Sequence, residues 1–246
     1  MTTAEATLER AEERHWSAAR LASAAAMAAW AALFWWLLAT GRSFLYLSDR
    51  TDWVVPMGAI ILTVAVAGRL WSARGPRPEP LKRSDAWRLG GIVLPVVLTV
   101  ALPPASLGSY AAGRRSSFVS SGYTSTAADI ESGQLSLVDV AGALRSREAM
   151  QALVNRAGQE VSFVGFVARD SGMPADEFML SRFLVSCCVA DALSIQVRVV
   201  GAPPGELAED DWVRVTGAFY PLGREVIVDA SEVEPVPRPK RPYLNP

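Results

Sequence analysis

Three long apolar runs in the first 110 residues constrain this chain more than any other feature. The first, Leu21 to Thr40, contains no charge. The second, Trp53 to Trp71, has a tryptophan at each end, as suits rings at the headgroup level, and one arginine, Arg69, near enough to its end to snorkel. The third, Leu89 to Leu107, is charge-free but interrupted by Pro95 and closed by Pro103-Pro104. Roughly 20 helical residues rising ~1.5 Å each cross a hydrocarbon core of ~30 Å. A proline pair removes donors and ends a helix. The third span is therefore expected to begin near Asp85, with Trp87 as its interfacial anchor, and to stop at Leu102.

A cleaved signal peptide competes for the first run. That run exceeds an ordinary signal core, and Glu5, Glu9, Glu12 and Glu13 lie upstream among the arginines, so a retained helix is expected. Basic residues set the orientation. Arg74, Arg77, Lys82, Arg83 and Arg88 fall between spans two and three; only Arg42 and Arg50 fall between spans one and two. The N-terminal segment adds Arg10, Arg14 and Arg20, whereas Arg114 and Arg115, just after span three, oppose the trend. The expectation is a multi-pass protein of the cell membrane with its N-terminus in the cytoplasm and everything after Leu107 outside. No ionisable residue falls at mid-membrane depth, so the spans offer no ion pathway of their own.

After Leu107 the composition becomes globular. Residues 108–133 are rich in Ser, Gly, Ala and Thr and read as a linker. LSLVDV, Leu135 to Val140, reads as a strand. A helix is expected over about Arg145 to Arg156, with Ala149, Leu153 and Val154 on one side. The period then becomes two, giving five strands that start near Glu160, Phe178, Leu193, Asp211 and Glu225. Gly165 in VSFVGFV and Gly217 in VRVTGAF sit mid-strand, where glycine marks a bulge or a barrel corner. Five short bent strands fit an OB-type barrel; a plain five-stranded antiparallel sheet on the helix is the alternative. The fold class is therefore three transmembrane helices followed by an all-β or α+β domain. Its division is a cytoplasmic segment 1–20, a membrane region 21–107, the linker 108–133, an extracytoplasmic β-rich domain 134–235 and a Pro-rich tail 236–246. From Arg145 to Pro235 there are 14 acidic and 8 basic residues, which argues against a nucleic-acid partner.

The only two cysteines, Cys187 and Cys188, are adjacent and cannot staple distant parts of a fold. On a continuous strand Phe183, Val185, Cys187 and Val189 face one way and Arg182, Leu184, Ser186 and Cys188 the other. Bringing both sulfurs to one metal, or into one disulfide, then needs a bulge or turn. Asp191 can add an oxygen, and Arg182 can favour the Cys188 thiolate. The plainer reading makes Cys187 a small core residue and Cys188 its inert neighbour. This segment does not supply a four-ligand zinc site by itself. With one histidine, His15, and no phosphate loop, Ser-His-Asp set or HExxH pattern, no enzyme is expected.

FVGFVARD and FMLSRFLVSCCVADA, followed by DWVRVTGAFYP and the closing PRPKRPYLNP, resemble a family of uncharacterised bacterial membrane proteins described as permease subunits and often encoded beside a large multi-span permease. The resemblance extends over most of the chain, including LPPASLGS at the membrane exit. Its specific element is R-F-x-x-S-C-C-x-A-D-A, which here comprises Arg182, Phe183, Ser186, Cys187, Cys188 and Asp191 and follows Ser181. The resemblance implies a two-component system with this chain as the smaller subunit, and it raises the weight of Cys187, Cys188 and Asp191 as a site for a thiophilic metal such as zinc. Two functions follow as expectations. One is an accessory subunit in the bilayer whose outer domain caps, gates or delivers ligand to a multi-span permease. The other is a stand-alone extracytoplasmic thiol or metal-binding membrane protein.

Overall fold

The computed structural model describes residues 15–75, 80–102, 107–114, 125–143, 146–205, 207–223 and 225–245. Pro103-Pro104, Arg10, Arg14, Arg77, Arg115 and the upstream glutamates lie outside the described residues. By internal contacts the chain divides into two units, Met1–Ser43 with Asp52–Pro104, and Phe44–Thr51 with Ala105–Pro246.

The first unit holds α1 (Ala18–Thr40), α2 (Val54–Trp71) and α3 (Arg83–Ala101). All three are long and apolar enough to cross a membrane. The third helix starts and stops where its flanks require. It begins two residues before Asp85 and ends before the proline pair, so the helix lies six residues upstream of the apolar run Leu89–Leu107. Pro95 sits inside it, and the carbonyl of Pro95 accepts from the Thr99 hydroxyl at 2.8 Å. Polar atoms on these helices pair with one another, as a low-dielectric surround demands. Trp35 Nε1 donates to Thr63 Oγ1 at 3.1 Å, Trp30 Nε1 to the Ile92 carbonyl at 3.0 Å, and Arg69 Nε to Ser23 Oγ at 2.8 Å.

The second unit is a closed five-stranded barrel preceded by short helices. Its strands are β1 (Glu160–Ala168), β2 (Phe178–Leu184), β3 (Leu193–Val200), β4 (Trp212–Leu222) and β5 (Glu225–Pro235). They close in the order β1-β2-β3-β5-β4, with β3 and β5 parallel and every other pair antiparallel. That Greek-key closure is the OB type. Alternate residues fill the barrel, among them Phe163, Phe178, Leu180, Val197, Val215 and Phe219. A smaller cluster gathers Phe166, Phe183, Val185, Ala112 and Tyr243, with the rings of Phe166 and Phe183 stacked at 5.7 Å.

The stretch 108–133 contains two short helices, α4 (Ser109–Ala112) and α5 (Ala127–Ser132). LSLVDV is not a strand: α6 covers Leu137–Ala143. Ser136 and Asp139 form a capping box, the Asp139 carboxylate accepting from the Ser136 N–H and hydroxyl while Ser136 Oγ accepts from the Asp139 N–H. That box starts a helix where alternation suggested a strand. In α7 (Arg147–Asn155) Ala149, Ala152 and Leu153 are buried, whereas Val154 faces outward.

The two mid-strand glycines have different reasons to be there. At Gly217 the β4–β5 register shifts between Thr216 and Gly217, a bulge that brings the Asp229 carbonyl onto the place a Cβ would occupy. At Gly165 a Cβ would lie 2.7 Å from the Ser181 carbonyl of the neighbouring strand. Alanine at either position is expected to cost about 1–3 kcal/mol through forced backbone movement. Gly133→Ala, whose methyl meets nothing within 4 Å, is expected to change stability by less than ~0.5 kcal/mol. Thermal unfolding followed by circular dichroism in detergent separates the three variants; equal midpoints would contradict this account of the barrel corners.

Candidate functional site

The site lies where β2 ends. Continuous strand stops at Leu184, and the chain turns through Ser186, Cys187 and Cys188 into a single 3-10 turn, Val189–Asp191. The opposite-face arrangement expected for a continuous strand therefore does not occur, and the turn that a shared sulfur site requires is present. The two sulfurs lie 3.7 Å apart as free thiols, Cys187 exposed and Cys188 half-buried.

Asp191 makes this turn. Its Oδ1 accepts from the Ser186 N–H at 3.0 Å, and its Oδ2 accepts from the N–H groups of Cys187 at 2.8 Å and Cys188 at 3.4 Å. Three successive amides thus converge on one carboxylate, and the side chains that follow are turned to one side. Burial works against ionisation of Asp191, but the hydrogen bonds from Cys187, Ser186 and Cys188 prevail and hold its carboxyl below the usual range. The same contact acts in reverse on the thiol. Its hydrogen bond to the Asp191 carboxylate, reinforced by the one with Cys188, pushes Cys187 up to about 11.

A second segment grips the turn from the side. Leu47 bridges Cys188 in antiparallel fashion, the Ser48 N–H donates to the Cys187 carbonyl at 3.1 Å, and the Val189 N–H donates to the Tyr46 carbonyl at 2.9 Å. Ser48 Oγ donates to the Ser186 carbonyl at 2.8 Å and Thr51 Oγ1 to that of Cys187 at 2.5 Å. This strap, Phe44–Thr51, is the connection between α1 and α2. The C-terminal tail secures it: Asp49 pairs with Arg241 at 2.5 Å and accepts from Asn245 Nδ2 at 2.9 Å, while the Arg241 guanidinium stacks on Phe44. No hydrophobic periodicity marks residues 44–51 as a strap. Its one local signal is the run of short polar side chains Ser48, Asp49 and Thr51, which suits a turn.

The other motif residues hold the surroundings. Arg182 donates to the carbonyls of Pro242 at 3.1 Å and Arg241 at 3.3 Å, and its guanidinium lies 5.7 Å from the Trp212 ring. It thereby fixes the tail. Phe183 is buried against Phe166, and Ser181 is fully buried within β2. The tail itself folds back on its own domain: Leu244 pairs with the end of β2, and Tyr243 is 7% exposed.

Cys187 Sγ, Cys188 Sγ and an Asp191 carboxylate oxygen all lie within 4.8 Å of one another, the one group among the described residues with the donor types for a thiophilic ion. Residues 140–246 match the family model described as the DUF1980 C-terminal domain, which carries no assigned function. The match spans the barrel, the thiol turn and the tail, and stops short of the strap. No curated protein matches the chain.

Because Asp191 suppresses the Cys187 thiolate, Asp191→Asn is expected to speed alkylation of Cys187 at neutral pH. A fall in thiol pKa from about 11 toward the unperturbed value of 9.0 raises the thiolate fraction up to ~100-fold, and reduced nucleophilicity returns about half of that exponent, leaving roughly tenfold. Timed iodoacetamide labelling with mass spectrometry measures it; an unchanged rate would mean that Asp191 does not control the thiol.

Proposed function

We propose that this chain is the smaller, accessory subunit of a two-component membrane permease, its barrel standing on the outer face to cap, gate or deliver ligand to a larger channel-forming partner. The observation that carries the reading is the surface of α3. Val96 is its one buried residue, while Trp87, Ile92, Leu94, Val97, Leu98 and Val100 are exposed. A helix whose charges, Arg83, Asp85 and Arg88, all lie in its first two turns and whose apolar remainder packs so little on its own unit is suited to pack on another membrane protein, where van der Waals contact replaces lipid. The resemblance to permease subunits and the absence of ionisable residues at mid-span favour the same conclusion.

The strap supports the outward orientation. Residues 44–51 follow α1 and fold into the same unit as the barrel, which follows α3. On the three-span reading, α2 and α3 both cross between this strap and the barrel, which puts the two on one side of the bilayer. The basic residues Lys82, Arg83 and Arg88 then lie on the opposite face, which the positive-inside rule makes cytoplasmic. The alternative function, a stand-alone extracytoplasmic thiol or metal-binding protein, rests on the 3.7 Å sulfur separation.

Affinity purification of the tagged chain from native membranes is expected to bring down a larger multi-span protein, and Leu94→Trp with Val97→Trp on α3 to release it. A C-terminal tag is expected to be reached by antibody on intact cells with a permeable or absent outer wall. Recovery of the chain alone, as a monomer in mild detergent, would remove the accessory-subunit reading and leave the alternative.

A further inference from the structure

We propose that Cys187 and Cys188 form a chelating dithiol for a thiophilic metal cation, with Asp191 as the positioning residue that shapes the turn and with the remaining coordination positions open to exchange. The inference deepens the ligand-delivery reading, on which it rests for the side of the membrane where the site works.

Distance is the first ground. Two thiolates each ~2.3 Å from a tetrahedral ion stand ~3.8 Å apart. The sulfurs are 3.7 Å apart, so an ion can be received with almost no movement. Adjacent cysteines rarely present their sulfurs together, because strand geometry separates them. Here the three amides gathered by Asp191 impose that presentation, and the strap hydrogen bonds to the Ser186 and Cys187 carbonyls hold it.

Donor chemistry is the second ground. A pair of sulfurs selects soft and borderline cations; calcium and magnesium require oxygen shells. The Asp191 carboxylate already accepts three backbone N–H bonds, with Oδ2 taking two of them. Its role is therefore in the scaffold around the sulfurs. The chain has no other cysteine, and its single histidine is His15. Two protein ligands leave a tetrahedral ion half-coordinated, with two positions for water, an anion or a donor from a second protein. Structural metal sites are closed by four protein ligands. An open pair with Cys187 at the surface suits a cation that arrives and leaves. Binding is a plain exchange: a divalent cation replaces the two thiol protons, which pass to solvent, and no electron is transferred.

The test titrates the purified, reduced full-length chain in detergent micelles with Cd2+. One ion is expected per chain, with a sulfur-to-metal charge-transfer band of the intensity of two thiolates. Cys187→Ser and Cys188→Ser are each expected to weaken binding tenfold or more. Saturating Cd2+ is expected to protect both cysteines of the unaltered chain from alkylation, a readout independent of how the variants fold. Asp191→Asn, which keeps an acceptor oxygen, is expected to retain the two-thiolate band, whereas Asp191→Ala falls as far as the cysteine variants. Unchanged Cd2+ affinity in the double serine variant, a one-thiolate band, or full alkylation under saturating Cd2+ would each overturn the site. An Asp191→Asn variant as weak as Asp191→Ala would overturn the positioning role. All of this is read on the isolated chain, so its failure is distinct from a failure to recover a larger partner subunit.

Discussion

The Asp191 carboxylate, accepting the N–H groups of Ser186, Cys187 and Cys188, is the interaction on which the rest of the candidate site depends. Hydrogen bonds to a charged acceptor contribute roughly 1.5–3 kcal/mol each. Here they also convert the end of a strand into a turn. Without that conversion the two thiols would face opposite sides of β2, Cys187 would sit in line with Phe183 and Val185, and the edge that receives the strap would not exist. The carboxylate is thus a local folding element first, and its effects on thiol chemistry follow from where that places it.

Two solvents shape the two units differently. In the helices, side-chain donors such as Trp30, Trp35 and Arg69 find acceptors on neighbouring helices, and large apolar side chains point outward. In the barrel the arrangement is inverted: apolar residues fill the interior and charged pairs such as Arg198–Glu177 lie toward the surface. The polar strap, though it lies between two helices of the first unit in sequence, folds with the second.

The elements legible from the sequence were those whose signal is periodic and local. Apolar runs gave the helices, with α3 set by Asp85, Trp87 and the proline pair, and alternation gave all five strands to within a residue or two at most ends. The mid-strand glycines pointed to barrel corners because a Cβ there has nowhere to go. Period-two reading failed at LSLVDV, where six residues alternate well enough for a strand but Ser136 and Asp139 cap a helix. It failed again at Cys187, where alternation was continued past Leu184. A carboxylate three to five residues after the amides it binds looks, in sequence, like a metal ligand beside two cysteines. Nothing local distinguishes that donor from a cap. The strap lay furthest from reach, because Ser48 and the Ser186 carbonyl it meets are 138 positions apart.

That separation also bears on biogenesis. Asp49 finds its partners at Arg241 and Asn245, the last of them 196 positions downstream. The strap leaves the ribosome between two membrane helices, long before any barrel strand exists, and must wait in an unpaired state while the rest of the chain is made. Docking is therefore a late, post-translational event, and loop closure over such a distance is slow compared with local helix formation. A chain shortened by a few residues at its C-terminus would insert its helices and close its barrel yet leave the strap held by the thiol turn alone. A barrel produced without its helices would fold around a thiol turn with one side bare. The maturity of this protein is thus recorded in an eight-residue connection rather than in its largest domain.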